Sequence, residues 1–265
     1  MNSEKKSPIT SAPLRSAGQS IVEQQLKLIE GSFLWALMFA AMMGAMAAAE
    51  WLRFWNQTPP QPWLFTSVFL AALVFAAHRT LSVRRELRRL RMARDGERAV
   101  GEFLEKLRAD GYQVFHDLVG DGFNLDHVLI GPAGVFTIET KTYSKPAKGK
   151  AELTFDGERV KIGHWEPDRN PVIQARAQVG WLQALLKETT GRDFPVHPVI
   201  VYPGWFIRSE GRPKRPIWVL NPKALPKYLA NAEPKLTKEE IQLASYHLSR
   251  FVRVEEERRR VKRSR

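Results

Sequence analysis

Residues 124–145 read NLDHVLIGPAGVFTIETKTYSK. Two apolar runs flank a Gly-Pro-Ala-Gly turn at residues 131–134, which predicts an antiparallel hairpin. Its ends carry charge: Asp126 opens the first strand, and Glu139 and Lys141 close the second. Side chains alternate faces along a strand, so Glu139 and Lys141 point the same way and Thr140 points opposite. Asp126 and Glu139 stand almost equally far from the turn and are expected to face each other across the ladder. Two carboxylates and an ammonium then converge at one end of a sheet. Val135, Phe136 and Ile138 give the second strand apolar groups on both faces, as in a central strand, where charge is costly unless it has a use.

Two acids held this close repel unless a cation lies between them. A hard divalent ion, Mg²⁺ (or Mn²⁺), suits oxygen ligands from Asp126 and Glu139 and keeps positions open for water and a phosphate oxygen. Lys141 would place or activate the attacking water and offset charge developing on phosphorus. Phosphodiester hydrolysis needs such a set. A plainer reading stands beside it, in which Asp126 caps a strand end and Glu139 and Lys141 form a solvated pair. Short charge motifs match by chance often enough that spacing alone does not decide.

The surrounding sequence, residues 95–252, reads as a mixed α/β domain. GERAVGEFLEKLRADG carries Val100, Leu104 and Leu107 at helical spacing and ends on Gly111 as a cap. A strand follows over residues 112–118. AELTFDGERVKI (residues 151–162) predicts a second hairpin with Asp156-Gly157 as a two-residue turn. A helix follows with Asn170 as its cap and Pro171 at its first position. HPVIVY (197–202) and IWVL (217–220) read as short buried strands. Thr237 and Glu240 form a capping box for a closing helix. The pattern predicts a central mixed sheet flanked by helices on both faces.

GERAVGEFLEKL, LDHVLIGPAGVFTIETK and NPVIQARAQ, in this order and at these intervals, resemble the nuclease-related domain (NERD) family of the PD-(D/E)XK nuclease superfamily. The resemblance covers roughly residues 95–202. It implies a restriction-endonuclease-like core, with Asp126 as the family's aspartate and Glu139-Thr140-Lys141 as its E-x-K. It also implies catalytic roles for Glu97, in the Gly-Glu of the first helix, and for Gln174, on the helix after the Asn-Pro. Some members of the superfamily have lost activity, so the match supports catalysis without establishing it. Each carried-over residue has a plainer role. Glu97 suits the first turn of any helix, Glu102 is another acid on it, and Gln178 shares a face with Gln174. His127 is expected to point away from Asp126 and pack, and Trp165 to lie in the core.

The N-terminal third has a different character. Residues 1–30 are polar and read as disordered, starting on a Ser/Pro-rich stretch. Gly31 to Ala49 then runs 19 residues without a charge, which is roughly 28 Å of helix and close to the hydrocarbon thickness of a bilayer. A second apolar run, Trp63 to Ala77, follows a linker carrying Trp51 and Trp55 at interfacial positions. Both runs are apolar on every face, which predicts a transmembrane helical hairpin over residues 31–78 that meets membrane lipid.

The formal net charge is +13, and its distribution matters. Residues 79–94, expected as a basic juxtamembrane helix, hold seven Arg and one Glu. Residues 253–265, expected as a basic tail, hold six Arg, one Lys and three Glu. Lys5, Lys6, Arg15 and Lys27 precede the first span, while the linker has only Arg53. This bias predicts a multi-pass protein of the cell inner membrane with both termini and the nuclease-like domain cytoplasmic. The chain has no cysteine, which excludes disulfides and thiolate metal sites.

In the loop after the first hairpin, Lys145, Lys148 and Lys150 are candidates for tracking a nucleic-acid backbone (DNA or RNA), although solvated loop lysines look the same in sequence. Two functional classes result. One is a membrane-anchored, metal-dependent nuclease, possible as a homo-oligomer because such cores often pair to cut two strands. The other is a catalytically inactive nucleic-acid-binding or scaffold module at the membrane.

Overall fold

The computed structural model describes residues 14–59, 62–120, 122–146, 150–163, 165–211 and 216–263. It divides into two compact units. One holds residues 20–92, and the other holds the N-terminal residues up to Gln19 together with Ala93–Arg265.

The first unit consists of two long helices, α1 (Gln19–Trp55) and most of α2 (Pro62–Glu105). Trp35 on α1 and Phe75 on α2 pack with ring centroids 5.4 Å apart. Among the described residues one helical stretch, Thr66–Asp110, is long and apolar enough to cross a membrane, with a mean hydropathy of 1.5 over its most apolar window. The expected first span, residues 31–49, forms the middle of α1 but does not emerge as a second such helix. Two expectations are corrected. The polar segment to residue 30 is helical from Gln19 onward, and its residues 1–13 lie outside the described residues. The apolar run, the basic segment 79–94 and the first helix of the α/β unit are one continuous helix, because no Pro or Gly-rich break separates them and a run of Arg and Leu favours helix.

The second unit is built on a five-stranded sheet. Its strands are β1 (Gln113–Val119), β2 (Asn124–Gly131), β3 (Gly134–Thr140), β6 (Val196–Val201) and β8 (Trp218–Leu220), in that spatial order. The first three strands are antiparallel neighbours, and β3, β6 and β8 run parallel. A smaller sheet pairs β5 (Val160–Lys161), β4 (Glu152–Phe155) and β7 (Phe206–Ser209). Helices α3 (Pro171–Thr190), α4 (Leu225–Ala230) and α5 (Lys238–Arg263) complete the unit.

Strand β3 is buried along its whole length, which is why its sequence is apolar in both registers. Phe136 and Ile138 face a core shared with Val100 and Leu104 of α2 and Leu225 of α4. Val135 faces the other core, with Leu182 and Leu186 of α3 and Ile241 and Leu248 of α5. Each such side chain contributes roughly 1.5–3 kcal/mol of burial. The mixed sheet flanked by helices on both faces is therefore set by β3 as a two-sided strand.

The expected caps are present. The Asn170 side chain accepts from the backbone N–H of Val172 at 2.9 Å, with Pro171 opening α3. Thr237 and Glu240 exchange backbone-to-side-chain bonds of 2.9 and 3.2 Å at the start of α5. The second hairpin differs from expectation: Phe155 pairs with Val160, so the loop is Asp156 to Arg159 rather than two residues. The Asp156 carboxylate accepts from the N–H groups of Glu158 and Arg159 and stabilises that wider turn. Strand β7 and helix α4, absent from the sequence reading, are short elements without a strong period. The basic tail also differs: residues 253–263 continue α5, so the domain does not end at residue 252.

That helical tail bears on the N-terminus. Arg15 is buried, and its guanidinium bonds Asp117 of β1 (Nε to Oδ2, 2.7 Å) and Glu256 of α5 (Nη1 to Oε2, 2.6 Å). Asp117 sits at the register position facing Asp126, takes a φ of 54°, and also accepts from the Asn124 amide at 2.5 Å. Gly101 lies where a side chain would collide with Ala17, since an added Cβ would be 2.8 Å from the Ala17 Cβ. The segment before α1 is thus an integral strap of the α/β unit rather than a loose end.

Candidate active site

Strands β2 and β3 pair with His127 opposite Ile138, and the next step of the ladder sets Asp126 opposite Glu139. Both carboxylates are buried. The Asp126 Oδ2 accepts from the backbone N–H of Thr140 at 2.7 Å, which ties the two strand ends together. Lys141 lies just past β3, where its N–H bonds the carbonyl of Val201 on β6 at 2.9 Å. Its Nζ donates to Glu139 Oε1 at 2.7 Å and to Gln174 Oε1 at 2.9 Å. Gln174 Nε2 donates to the same Glu139 oxygen at 2.7 Å, and Gln178 Nε2 donates to the other at 2.5 Å. Glu139, Lys141 and Gln174 therefore form a closed triangle, and the solvated-pair reading of Glu139 does not hold. Gln178, one helical turn beyond Gln174, is the more buried of the two amides, and its Nε2 also reaches the carbonyl of Asn124. The sequence signal for it was its i, i+4 spacing from Gln174.

Glu97 comes to the same cluster from α2. Gly96 makes this possible: a Cβ there would sit 1.8 Å from the Thr142 hydroxyl, so only glycine lets the helix touch the loop after β3. The Glu97 Oε2 is buried without a partner among the described residues. Burial pushes the Glu97 carboxyl up to about 8, and the charges of Asp117 and Glu139 add to it. Asp126 is driven well above the usual carboxyl range by burial, then by Glu139 and Glu97. Burial by itself would lower the Lys141 ammonium, but the charge and hydrogen bond of Glu139 outweigh it and the net shift is upward. Lys141 is therefore a fixed cation at neutral pH and not a proton acceptor.

Without metal, the protonated form of Glu97 is the one the fold favours. A carboxyl that titrates near 4.5 when unfolded and near 8 when folded adds stability that is complete below 4.5 and lost as the pH rises through about 8. Asp126 acts with the same sign. In chelator, the melting temperature is expected to drop over this interval, and Glu97→Gln is expected to flatten the drop. A profile unchanged by the substitution would contradict the shared-site placement of Glu97.

Among the described residues no three His, Asp or Glu side chains form a ready-made metal cage. The donor chemistry nevertheless fits a hard divalent ion. The charge of Glu139 raises the proton affinity of both Glu97 and Asp126, Glu97 adds to that of Asp126, and one Glu97 oxygen is orphaned among the described residues. A cation that keeps part of its water shell needs only two or three such oxygens.

Of the other candidates, Lys145 lies over Gly204, where an added Cβ would meet its Nζ at 2.7 Å, and Lys150 is exposed. Lys148 lies outside the described residues. His127 is buried and packs as expected, its Nδ1 2.8 Å from that of His116, which in turn meets Glu105. Trp165, expected in the core, is about half exposed at a sheet margin, where its backbone bridges to Ile162 and its ring meets Tyr143 edge-on at 5.4 Å.

The fold is consistent with a nuclease-like α/β domain, and its acids and one cation gather at the end of the central strand. In agreement, residues 93–203, under half of the chain, match the family model of the NERD, nuclease-related domain. No curated protein and no solved structure was found to match the chain.

Proposed function

We propose that this chain is a membrane-anchored, metal-dependent nuclease that hydrolyses phosphodiester bonds of DNA or RNA at the cytoplasmic face. The observation that carries the reading is the buried group of Asp126, Glu139, Lys141 and Gln174, joined by Glu97, inside a nuclease-related domain. Asp126 and Glu139 would hold Mg²⁺ or Mn²⁺, with Glu97 at its margin. The ion would supply Lewis-acid polarisation of a phosphate oxygen and a more acidic bound water. Lys141 has three N–H donors, and two of them hold Glu139 and Gln174. The third is available to a phosphate oxygen, where a fixed positive charge counters the charge that develops in the transition state. Gln174 and Gln178 keep the Glu139 carboxylate from rotating away.

Membrane anchoring is supported by the large exposed apolar side chains of the helical unit, among them Leu34, Met38, Leu70, Val74 and Phe75. Among the described residues Thr66–Asp110 is the helical stretch long and apolar enough to cross a membrane. The seven Arg of residues 79–94 favour the cytoplasm for both ends. Because the chain has no cysteine, a single Gln57→Cys variant reports topology cleanly. Labelling of intact cells by an impermeant maleimide is expected at Gln57→Cys and not at Ser209→Cys. The reverse pattern would refute the orientation.

The second reading, a non-catalytic binding or scaffold module, is favoured by the engagement of both Glu139 oxygens by protein donors. Incubation of the full chain in detergent with DNA and RNA separates the two. The nuclease reading expects cleavage in Mg²⁺ or Mn²⁺ and none in chelator. No cleavage in any metal leaves the scaffold.

A further inference from the structure

Beyond the acidic cluster, the same end of the sheet opens into a groove of about 980 Å³. It is lined by residues that follow the carboxyl ends of the parallel strands β6 and β8, where open α/β sheets place their ligands. One wall is tied to the catalytic loop. Trp205 Nε1 donates to the carbonyl of Tyr143, two residues past Lys141, and the Asn221 amide donates to the carbonyl of Trp205. The groove wall is therefore bonded to the loop that carries Lys141.

Its chemistry is uneven. Lys150, Arg208 and Lys223 line it, and Lys145 stands over Gly204 at its edge. The one acid in the lining, Glu152, is bonded to Arg208. Between these cations stand two exposed aromatic rings: Phe206 is 66% exposed, and Tyr228, whose ring meets Trp218 edge-on at 5.3 Å, is still 45% exposed. Exposed rings spaced among cations suit a chain whose bases are free to stack and whose backbone is anionic. A duplex keeps its bases stacked inside and would leave the exposed area of both rings uncovered.

We propose that this groove binds a single-stranded nucleic acid, with bases on Phe206 and Tyr228 and phosphates on Lys145, Lys150 and Lys223. The inference builds on the nuclease reading by naming the form of substrate that leads to the acidic cluster.

The test is binding without cleavage. The full-length protein in detergent micelles, in chelator, is titrated into fluorescent oligodeoxythymidylate, oligouridylate and a mixed-sequence duplex, and anisotropy is followed. Tighter binding of one or both single strands than of duplex is expected, and the DNA and RNA arms show which sugar is preferred. The double variant Phe206→Ala, Tyr228→Ala is expected to weaken single-strand binding about tenfold or more. Phe206→Trp is expected to retain it. Lys223→Ala is expected to lower the salt slope of the affinity by roughly 0.7. Equal affinity for duplex, aromatic variants that bind like the parent, or a groove that prefers anionic phospholipid vesicles to any oligonucleotide would overturn the proposal. Because chelator silences cleavage, binding that holds while metal-dependent cleavage is absent would defeat the nuclease reading alone. Cleavage that proceeds while the aromatic variants bind normally would defeat the groove alone.

Discussion

Substituting Lys141 by Ala is expected to lower metal-dependent cleavage by about 10²–10³-fold. The reason is positional as well as electrostatic. The Nζ bridges Glu139 and Gln174 at 2.7 and 2.9 Å, so its removal takes away the one fixed cation of the cluster and loosens the carboxylate. Lys141→Arg keeps charge but not the compact geometry, and is expected to recover only part of the rate. Asp126→Ala supplies the companion measurement. A saturating divalent ion is expected to stabilise the parent, by about 2.7 kcal/mol at a hundred times its dissociation constant, read as a rise in melting temperature. That rise is expected to vanish in Asp126→Ala. A parent that melts at the same temperature with metal and with chelator, or a Lys141→Ala variant that cuts at the parental rate, would remove the catalytic assignment.

The second large effect lies at Arg15. Its guanidinium is almost fully covered and ion-paired to Asp117 and Glu256, whose side chains are also buried. Arg15→Ala strands two carboxylates in the interior, and breaking such a pair costs about 3–5 kcal/mol. For a domain of this size that corresponds to a fall of roughly 6–20 °C in melting temperature. The loss reaches the site too. Asp117 raises the proton affinity of Glu97, and the backbone of Gly18, three residues beyond Arg15, hydrogen-bonds the Glu97 carboxyl. Cleavage is therefore expected to fall even at temperatures where the variant remains folded. Arg15→Lys, with one compact charge in place of a fork, is expected to lie between. A melting temperature within about 2 °C of the parent would show that the strap contributes little.

Much of the central geometry was legible in the sequence because it is local. The Gly131–Gly134 turn fixes the hairpin register, and a period of two then sets Asp126 against Glu139 with Lys141 beyond it. Asn170-Pro171 and the Thr237–Glu240 box announce helix starts because capping is a matter of a few neighbouring residues. The Gly96-Glu97 pair was visible only as a resemblance, and the structure supplies its cause in the contact with Thr142.

The sequence by itself determined the charged hairpin, the two-sided central strand and the apolar, then basic, N-terminal third, since periodicity and composition act over short stretches. Only the tertiary structure decided that Arg15 closes onto Asp117 and Glu256, partners 102 and 241 positions away. It alone decided that both Gln174 and Gln178 grip Glu139, that the basic end continues as α5, and that Phe206 and Tyr228 face one groove. These pairings join residues with no shared local pattern. What selects them is the cost of leaving a buried charge or amide without a partner, and that cost is felt only once the chain has packed.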